Sequence, residues 1–341
     1  MSQPLALPGK EEPPTPHKAP EAGFNPEENG ASAAGGQAIR RKNFGDRISF
    51  FAPGFKKFQT TEFTGQNPAR FVTISLTGNG CALGCDHCAT SKLKGMWDLS
   101  ESAGGLFDLC AKARAGGARG VLISGGSDKQ GRVPLLRHVP DMIRAKNELG
   151  LRIRVHPGVP DEATIIGLAK VGLDGAMMDI IGHAETIRQV YHLDLTPDDY
   201  EASLALLDRH HVPSIPHIIL GLHYGQMLGE ETALEIIARH KAKMVVLVVL
   251  TPLNGTPMEN VKLPPLAEIG AFFQTARRRL PNTPVVLGCA RPLGQAKLHI
   301  DKLALEAGFN GIAYPAEGAV ALARSQGLVP EFQDGCCGVS W

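Results

Sequence analysis

Residues 71–88 read Phe71-Val-Thr-Ile-Ser-Leu-Thr-Gly-Asn-Gly-Cys81-Ala-Leu-Gly-Cys85-Asp-His-Cys88. The run 71–76 is short and apolar, as in a buried strand, and it opens directly into a loop with the spacing C-x₃-C-x₂-C. Three thiolates can hold three irons of a cubane [4Fe–4S] cluster, whose full protein ligation takes four cysteines, so one iron stays open. A zinc site wants four ligands, and His87 lies inside the run. Zinc pairs, however, usually come as two C-x₂-C halves, and no second half is nearby. A structural or electron-transfer cluster wants a fourth cysteine. On this loop alone, both alternatives stay open.

Working outward, the pattern after residue 71 repeats: a short apolar run, a polar turn, an amphipathic stretch, then glycine. The apolar runs are 71–76, 120–124, 151–155, 175–181, 214–220, 244–250, 284–287 and 311–313. Helical patterns fall near 100–115, 134–148, 160–171, 197–210, 229–240, 265–280, 296–307 and 316–326. Eight strand–helix alternations predict parallel strands in a (β/α)8 TIM-type barrel, closed by the count. An open six-unit barrel with two units packed outside is the alternative. Residues 1–38, rich in Pro, Glu, Gly and Ala, read as a disordered N-terminal tail. The barrel is expected over 39–327, and 328–341 as a C-terminal tail bearing cysteines.

Composition excludes some classes. The 35 basic and 34 acidic residues nearly cancel, so no global field points to nucleic acid or an anionic membrane. The longest strongly apolar run, 244–250, is far too short to span a bilayer. No charged start with an apolar h-region opens the chain, so no secretion signal is expected. Seven cysteines, three at metal spacing, argue against a disulfide scaffold and for a reducing cytoplasm.

In barrels of this kind, function gathers where strands end. There stand Ser124-Gly125-Gly126-Ser127, His156-Pro157-Gly158, Asp179, the group His217, Gly221, His223 and Tyr224, and Cys289 with Arg291. Glycines 125 and 126 suit a close backbone approach to a ligand or a plain tight turn. Arg188 suits a carboxylate or a surface ion pair. Cys110 lies in an apolar helical pattern and reads as core. Cys336 and Cys337 are adjacent, a poor geometry for bridging each other. From Gly327 to Cys336 the chain spans at most about 30 Å, and a twelve-residue helix is only about 18 Å long. The tail can therefore climb the barrel and bring the pair beside Cys289. There the three thiolates could hold a second Fe–S cluster, with Arg291, Ser340 or exogenous sulfide as fourth ligand.

The cysteine spacing resembles that of the radical S-adenosylmethionine (radical SAM) enzymes. The resemblance implies a [4Fe–4S] cluster on Cys81, Cys85 and Cys88 that cleaves S-adenosylmethionine to a radical. It also implies cofactor contacts. Gly125, Gly126 and Ser127 would receive the methionine amino group. His87 would stand beside adenine, Gly221 would end a strand flanking it, and Asp179 and Arg188 would supply charge. Ser127 stands where the family often has an acidic residue, so its contact is expected from the backbone.

The strings 81–88, 179–194, 221–225, 255–258 and 285–291 resemble the biotin synthase branch, in which Arg291 matches an unusual ligand of the sulfur-donating cluster. That branch takes its second-cluster cysteines from strands inside the barrel, and this chain has none at the ends of strands 2, 3 or 5. The strings 185–193 and 287–292, and the spare cysteines at 289, 336 and 337, look more like the two-component lipoyl synthases. This resemblance implies sulfur insertion into a protein-bound octanoyl chain, with an auxiliary Fe–S cluster as donor. The implied partners are an octanoylated lipoyl-carrier protein, a second radical SAM subunit, and reduced ferredoxin or flavodoxin. The alternatives are a rearranging or ring-forming enzyme on a small molecule, like biotin synthase or methylornithine synthase, and a non-catalytic Fe–S or zinc protein.

Overall fold

Strand and helix alternate through most of the chain, in the order read from the apolar runs. The computed structural model describes residues 26–54, 58–65 and 68–337. Helix α1 (Pro26–Phe44) and strand β1 (Arg47–Phe51) come first. Then follow β2 (Phe71–Ser75), the two-residue β3 (Trp97–Asp98) and α2 (Gly105–Ala115); β4 (Gly120–Ser124) and α3 (Val139–Leu149); β5 (Arg152–Val155) and α4 (Glu162–Val171); and β6 (Gly175–Asp179) with α5 (Ala184–Tyr191) and α6 (Pro197–Arg209). The second half runs β7 (Ser214–Leu220), α7 (Glu230–Ala238), β8 (Val245–Val249), α8 (Leu266–Arg279), β9 (Val285–Leu287), α9 (Gln295–Glu306), β10 (Gly311–Ala313), α10 (Ala319–Ser325) and β11 (Val329–Gln333). Helices start and stop on local chemistry. A Thr196–Asp199 capping box with Pro197 opens α6, and left-handed Gly150 and Gly172 end α3 and α4.

All strands lie in one sheet, ordered β11-β1-β10-β9-β8-β7-β6-β5-β4-β2-β3. The pairings are parallel, from β2–β4 through to β1–β11. Two-residue periodicity sorts the side chains. Val72, Ile74, Ile123, Ile153, Val155, Met178 and Leu247 face outward into the core under the helices. Phe51, Phe71, Leu122, Met177, Ile215, Val246, Val286 and Ala313 face inward and share one cluster with Cys336 and Cys337. Phe51 and Phe71 come from opposite parts of the strand order, so the sheet curls around a lumen. The fold is a curled, mostly parallel, partial (β/α)8 barrel flanked by helices.

Closure differs from expectation. Among the described residues, β3 and β11 are free sheet edges, because β1 and β11 extend one side and β3 covers the other. The Arg70–Asp334 ion pair, 3.4 Å, links the start of β2 to the segment after β11.

Both expected boundaries also move. The expected tail 1–38 runs into helix α1, which starts at Pro26 and packs on α8 and α9; residues 1–25 lie outside the described residues. The low apolar content that suggested disorder here serves close approach. A Cβ on Gly36 would meet the Ala307 carbonyl oxygen at 2.6 Å. Buried Arg40 then donates to the carbonyls of Phe309 and Gly45. At the other end, residues 329–333 of the expected tail 328–341 form β11, paired to β1 along its whole length. No helix among the described residues is long and apolar enough to cross a membrane.

Candidate active site at the barrel mouth

A cavity of about 510 Å³ opens where the strands end, within the size range of ligand sites. Cys81, Cys85 and Cys88 line it together with Gly125, Gly126, Ser127, His156, Asp179 and Cys289.

The cysteine loop is held from three sides. Against β4, the Ala82 N–H donates to the Ser127 carbonyl at 2.8 Å and the Gly126 N–H to Thr77 Oγ1 at 2.7 Å. A Cβ on Gly126 would lie 1.9 Å from the Gly80 carbonyl oxygen, so only glycine fits where the two loops cross. Against α5, the Asp86 N–H donates to the Val190 carbonyl, 3.0 Å. Between the two, the Asp86 carboxylate accepts from Tyr224 Oη at 2.7 Å and pairs with His192 Nε2 at 3.0 Å. Ala89, Thr90, His192 and Tyr224 all have left-handed φ, between 41° and 63°. Strain of this kind persists only where surroundings enforce it, and it gathers at functional sites.

Within the loop, the Cys85 thiol hydrogen-bonds to Cys88, which pulls Cys88 toward thiolate and leaves the proton on Cys85. His87 lies 5.1 Å from Tyr191 ring to ring. Its Nδ1 is buried with no hydrogen-bond partner among the described residues.

Deeper in the mouth is a polar set on inward strand positions. His156 Nε2 lies 3.8 Å from Asp179 Oδ1, and Tyr191 Oη donates to Asp179 Oδ2 at 3.1 Å. Burial opposes ionisation of Asp179, but the His156 ring, then His217 and His87, carry the carboxyl below its ordinary range. Burial lowers His217 to about 4, against the pull of Asp179. Its Nδ1 bonds the Ile215 carbonyl at 2.9 Å.

The second group of thiols is assembled from distant parts of the chain. After β11 the backbone turns into the lumen, and Cys337 hydrogen-bonds through sulfur to both Cys289 and Cys336. That bond, then nearby Lys92 and Arg291, lowers Cys289 to about 6. Cys289 is exposed to the cavity, while Cys336 and Cys337 are buried beneath it. Cys110 sits apart in the core under α2, where burial pushes its thiol up to about 12.

Three residues fall elsewhere than the sequence reading implied. Arg188 projects from α5, 74% exposed, beside Glu185 at 4.0 Å, and does not line the cavity. Gly221 packs against Pro264 outside the cavity and donates its N–H to Glu230, 2.8 Å. Arg291 is a structural lock rather than a spare ligand. It forks onto Asp301 at 2.6 and 3.1 Å and donates to the carbonyls of Gly288, Ala313 and Tyr314. Those bonds use all five donors of a guanidinium. Ser340 lies outside the described residues. The sequence reading left The alternation Arg152, Arg154, His156 against Leu151, Ile153, Val155 was the available signal for a polar inward face.

Among the described residues, no three His, Cys, Asp or Glu side chains converge closely enough to hold a single metal ion. A cubane spreads its thiolates over separate irons, and the loop carrying Cys81, Cys85 and Cys88 around one cavity fits that demand.

No family model matches the chain. It is 25% identical over 227 residues to the mitochondrial biotin synthase of Emericella nidulans, across 64% of this chain and 56% of that protein. The chain thus spans little more than half the length of that curated relative. Among solved structures it resembles methylornithine synthase (PylB), TM-score 0.59 at 16% identity over 90% of each chain. It also resembles HydG, a maturase of the [FeFe]-hydrogenase, TM-score 0.62 at 13% identity over 91% of this chain and 70% of that one. The fold is that of the partial barrels of radical SAM enzymes.

Proposed function

We propose that the chain is a radical SAM enzyme with a second Fe–S site, inserting sulfur at an unactivated carbon. The observation that carries this reading is that Cys81, Cys85, Cys88 and Cys289 line one cavity, with Cys336 and Cys337 behind Cys289. In this reading Cys81, Cys85 and Cys88 hold a [4Fe–4S] cluster with S-adenosylmethionine, which supplies a 5′-deoxyadenosyl radical for hydrogen abstraction. Gly125, Gly126 and Ser127 border the methionine end, and the buried Nδ1 of His87 offers a hydrogen bond to the nucleotide. Asp179, kept ionised by its histidines, offers an acceptor for hydroxyl or amino groups. Cys289, Cys336 and Cys337 hold the second cluster, which faces the same space.

For the substrate, the likenesses to biotin synthase and methylornithine synthase support a small molecule. The polar lumen of His156, Asp179 and His217 also suits a substrate with hydrogen-bonding groups. Thiolation of a protein-bound octanoyl chain, with a second subunit and a ferredoxin or flavodoxin donor, is the second reading. The cysteines outside the barrel strands at 336 and 337 favour it.

The test is anaerobic reconstitution with iron and sulfide, then dithionite and S-adenosylmethionine. Two cubanes take about eight irons, and 5′-deoxyadenosine is expected. Dethiobiotin and an octanoylated carrier peptide are then offered separately, and sulfur addition is read by mass spectrometry. Four irons with 5′-deoxyadenosine would leave a one-cluster radical enzyme and remove sulfur insertion. No 5′-deoxyadenosine would remove the radical SAM reading itself.

A further inference from the structure

The inward face of β5 carries Arg154 two residues below His156. Arg154 is 2% exposed, and its Nη1 donates to the Cys337 carbonyl at 2.7 Å across the lumen. Cys336 and Cys337 are themselves 5% and 3% exposed, among inward side chains of strands from around the barrel. The chain reaches this point from β11 past Asp334, which Arg70 holds at the seam. Two arginines thus grip the segment, one where it enters the lumen and one where it ends.

Burying a guanidinium is costly unless its donors are well used. Here one is used on the carbonyl of a cysteine rather than on an element of the sheet. A charge-assisted bond of this kind is roughly twice as strong as a neutral one. It fixes the backbone that aims the two thiols upward. Net charge and hydrogen bonding around a cluster also set its potential.

We propose that Arg154 is the positioning residue of the second thiol site: it anchors the Cys336–Cys337 turn inside the lumen and lends positive charge to an Fe–S cluster held there. The proposal rests on the reading that Cys289, Cys336 and Cys337 bind a cluster, and its two halves are read separately.

Anchoring is tested on the full-length, iron-free chain by timed iodoacetamide labelling, with each cysteine followed by mass spectrometry. Arg154→Met is expected to label Cys336 and Cys337 at least about tenfold faster than wild type, since a hydrogen bond to a charged group exceeds the free energy of one decade. Cys110, in a separate part of the core, is the internal reference and should not change. Arg154→Lys keeps the charge without the fork, and intermediate labelling is expected; it is also the variant read if Arg154→Met exposes Cys110. Wild-type labelling rates in both variants overturn the anchoring role.

The electrostatic half is tested by redox titration of the reconstituted chain under EPR. Arg154→Met should shift the second cluster to lower potential, or lose its signal. Arg154→Lys should restore the midpoint toward wild type, and the signal of the first cluster should stay put. An unshifted second midpoint in Arg154→Met overturns this half while leaving the second cluster standing. A wild-type chain that takes up only about four irons overturns the cluster reading and the electrostatic role together; the labelling result still decides the anchor.

Discussion

The two groups of thiols are built in opposite ways. Cys81, Cys85 and Cys88 lie within eight residues of one another on a loop whose own turns set their spacing, such as the Cys88 N–H to Cys85 carbonyl bond at 3.1 Å. Cys289, Cys336 and Cys337 meet only after β11 has paired with β1 and the chain has turned inward. The first group needs the rest of the protein to hold a preformed loop in place, through Asp86, Tyr224, His192 and the Gly126 crossing. The second does not exist as a group until the sheet is complete. A local site is therefore exposed to changes in its loop, whereas an assembled site is exposed to changes anywhere along the path that brings its parts together.

The largest effect expected is at the local site. Cys85→Ala should abolish 5′-deoxyadenosine formation under dithionite, because two thiolates remain where three are needed. Undiminished cleavage would refute the role of the loop and collapse the contrast between the groups. Next, replacing Cys336 and Cys337 together by Ala should lower reconstituted iron by about four per chain and end sulfur addition. If the double variant adds sulfur at the wild-type rate, the assembled group is not a cluster site. A smaller effect is expected from Tyr224→Phe, which removes one hydrogen bond to the Asp86 carboxylate and leaves His192. Such bonds are worth roughly 1.5–3 kcal/mol, so iron should leave the first site several-fold faster under chelator. Iron at the second site should leave at the wild-type rate, and equal acceleration at both sites would deny that the clamp is local.

The same contrast governs what could be read from the sequence. The eight units and the cysteine loop were legible, because apolar runs and local spacing are carried by neighbouring residues. Sheet closure was not, since it depends on which distant segment takes each edge, and here β1 and β11 take one of them. Helix α1 was missed because Gly36 and its small neighbours look like disorder until Ala307 lies against them. Arg291 stood beside Cys289 in sequence and suggested a ligand, but its donors are spent on Asp301 and three carbonyls. Arg188 faced solvent for a simpler reason: position on α5 sets its direction, and a charge after a strand need not point along the barrel. The proximity of Cys289 to the C-terminal pair was reachable by a length argument alone, but Arg154 beneath it was not. Its partner is a backbone carbonyl 183 residues away.

The smallest effect comes from the wall between the two groups. His217 occupies an inward position on β7 beside Asp179 in the sheet register. Burial lowers its folded-state value to about 4, while an unfolded histidine titrates near 6.5. Above pH ~6.5 both states carry the neutral ring, and its contribution to stability is fully present. As pH falls from there toward 4, the unfolded chain takes up the proton first, so stability is lost through that window. The two values differ by about 2.5 units, which bounds the loss at about 3 kcal/mol, and less where cavity water solvates the ring. Other histidines contribute to the total slope, since His138 and His223 are also lowered by burial. The difference between wild type and His217→Asn isolates this one. In urea unfolding of the iron-free chain, the variant should show a shallower fall in stability between pH 6.5 and 4.5 than wild type. Parallel curves would mean that the ring gains its proton in the folded lumen as easily as in water, and that the wall between the two thiol groups is wet.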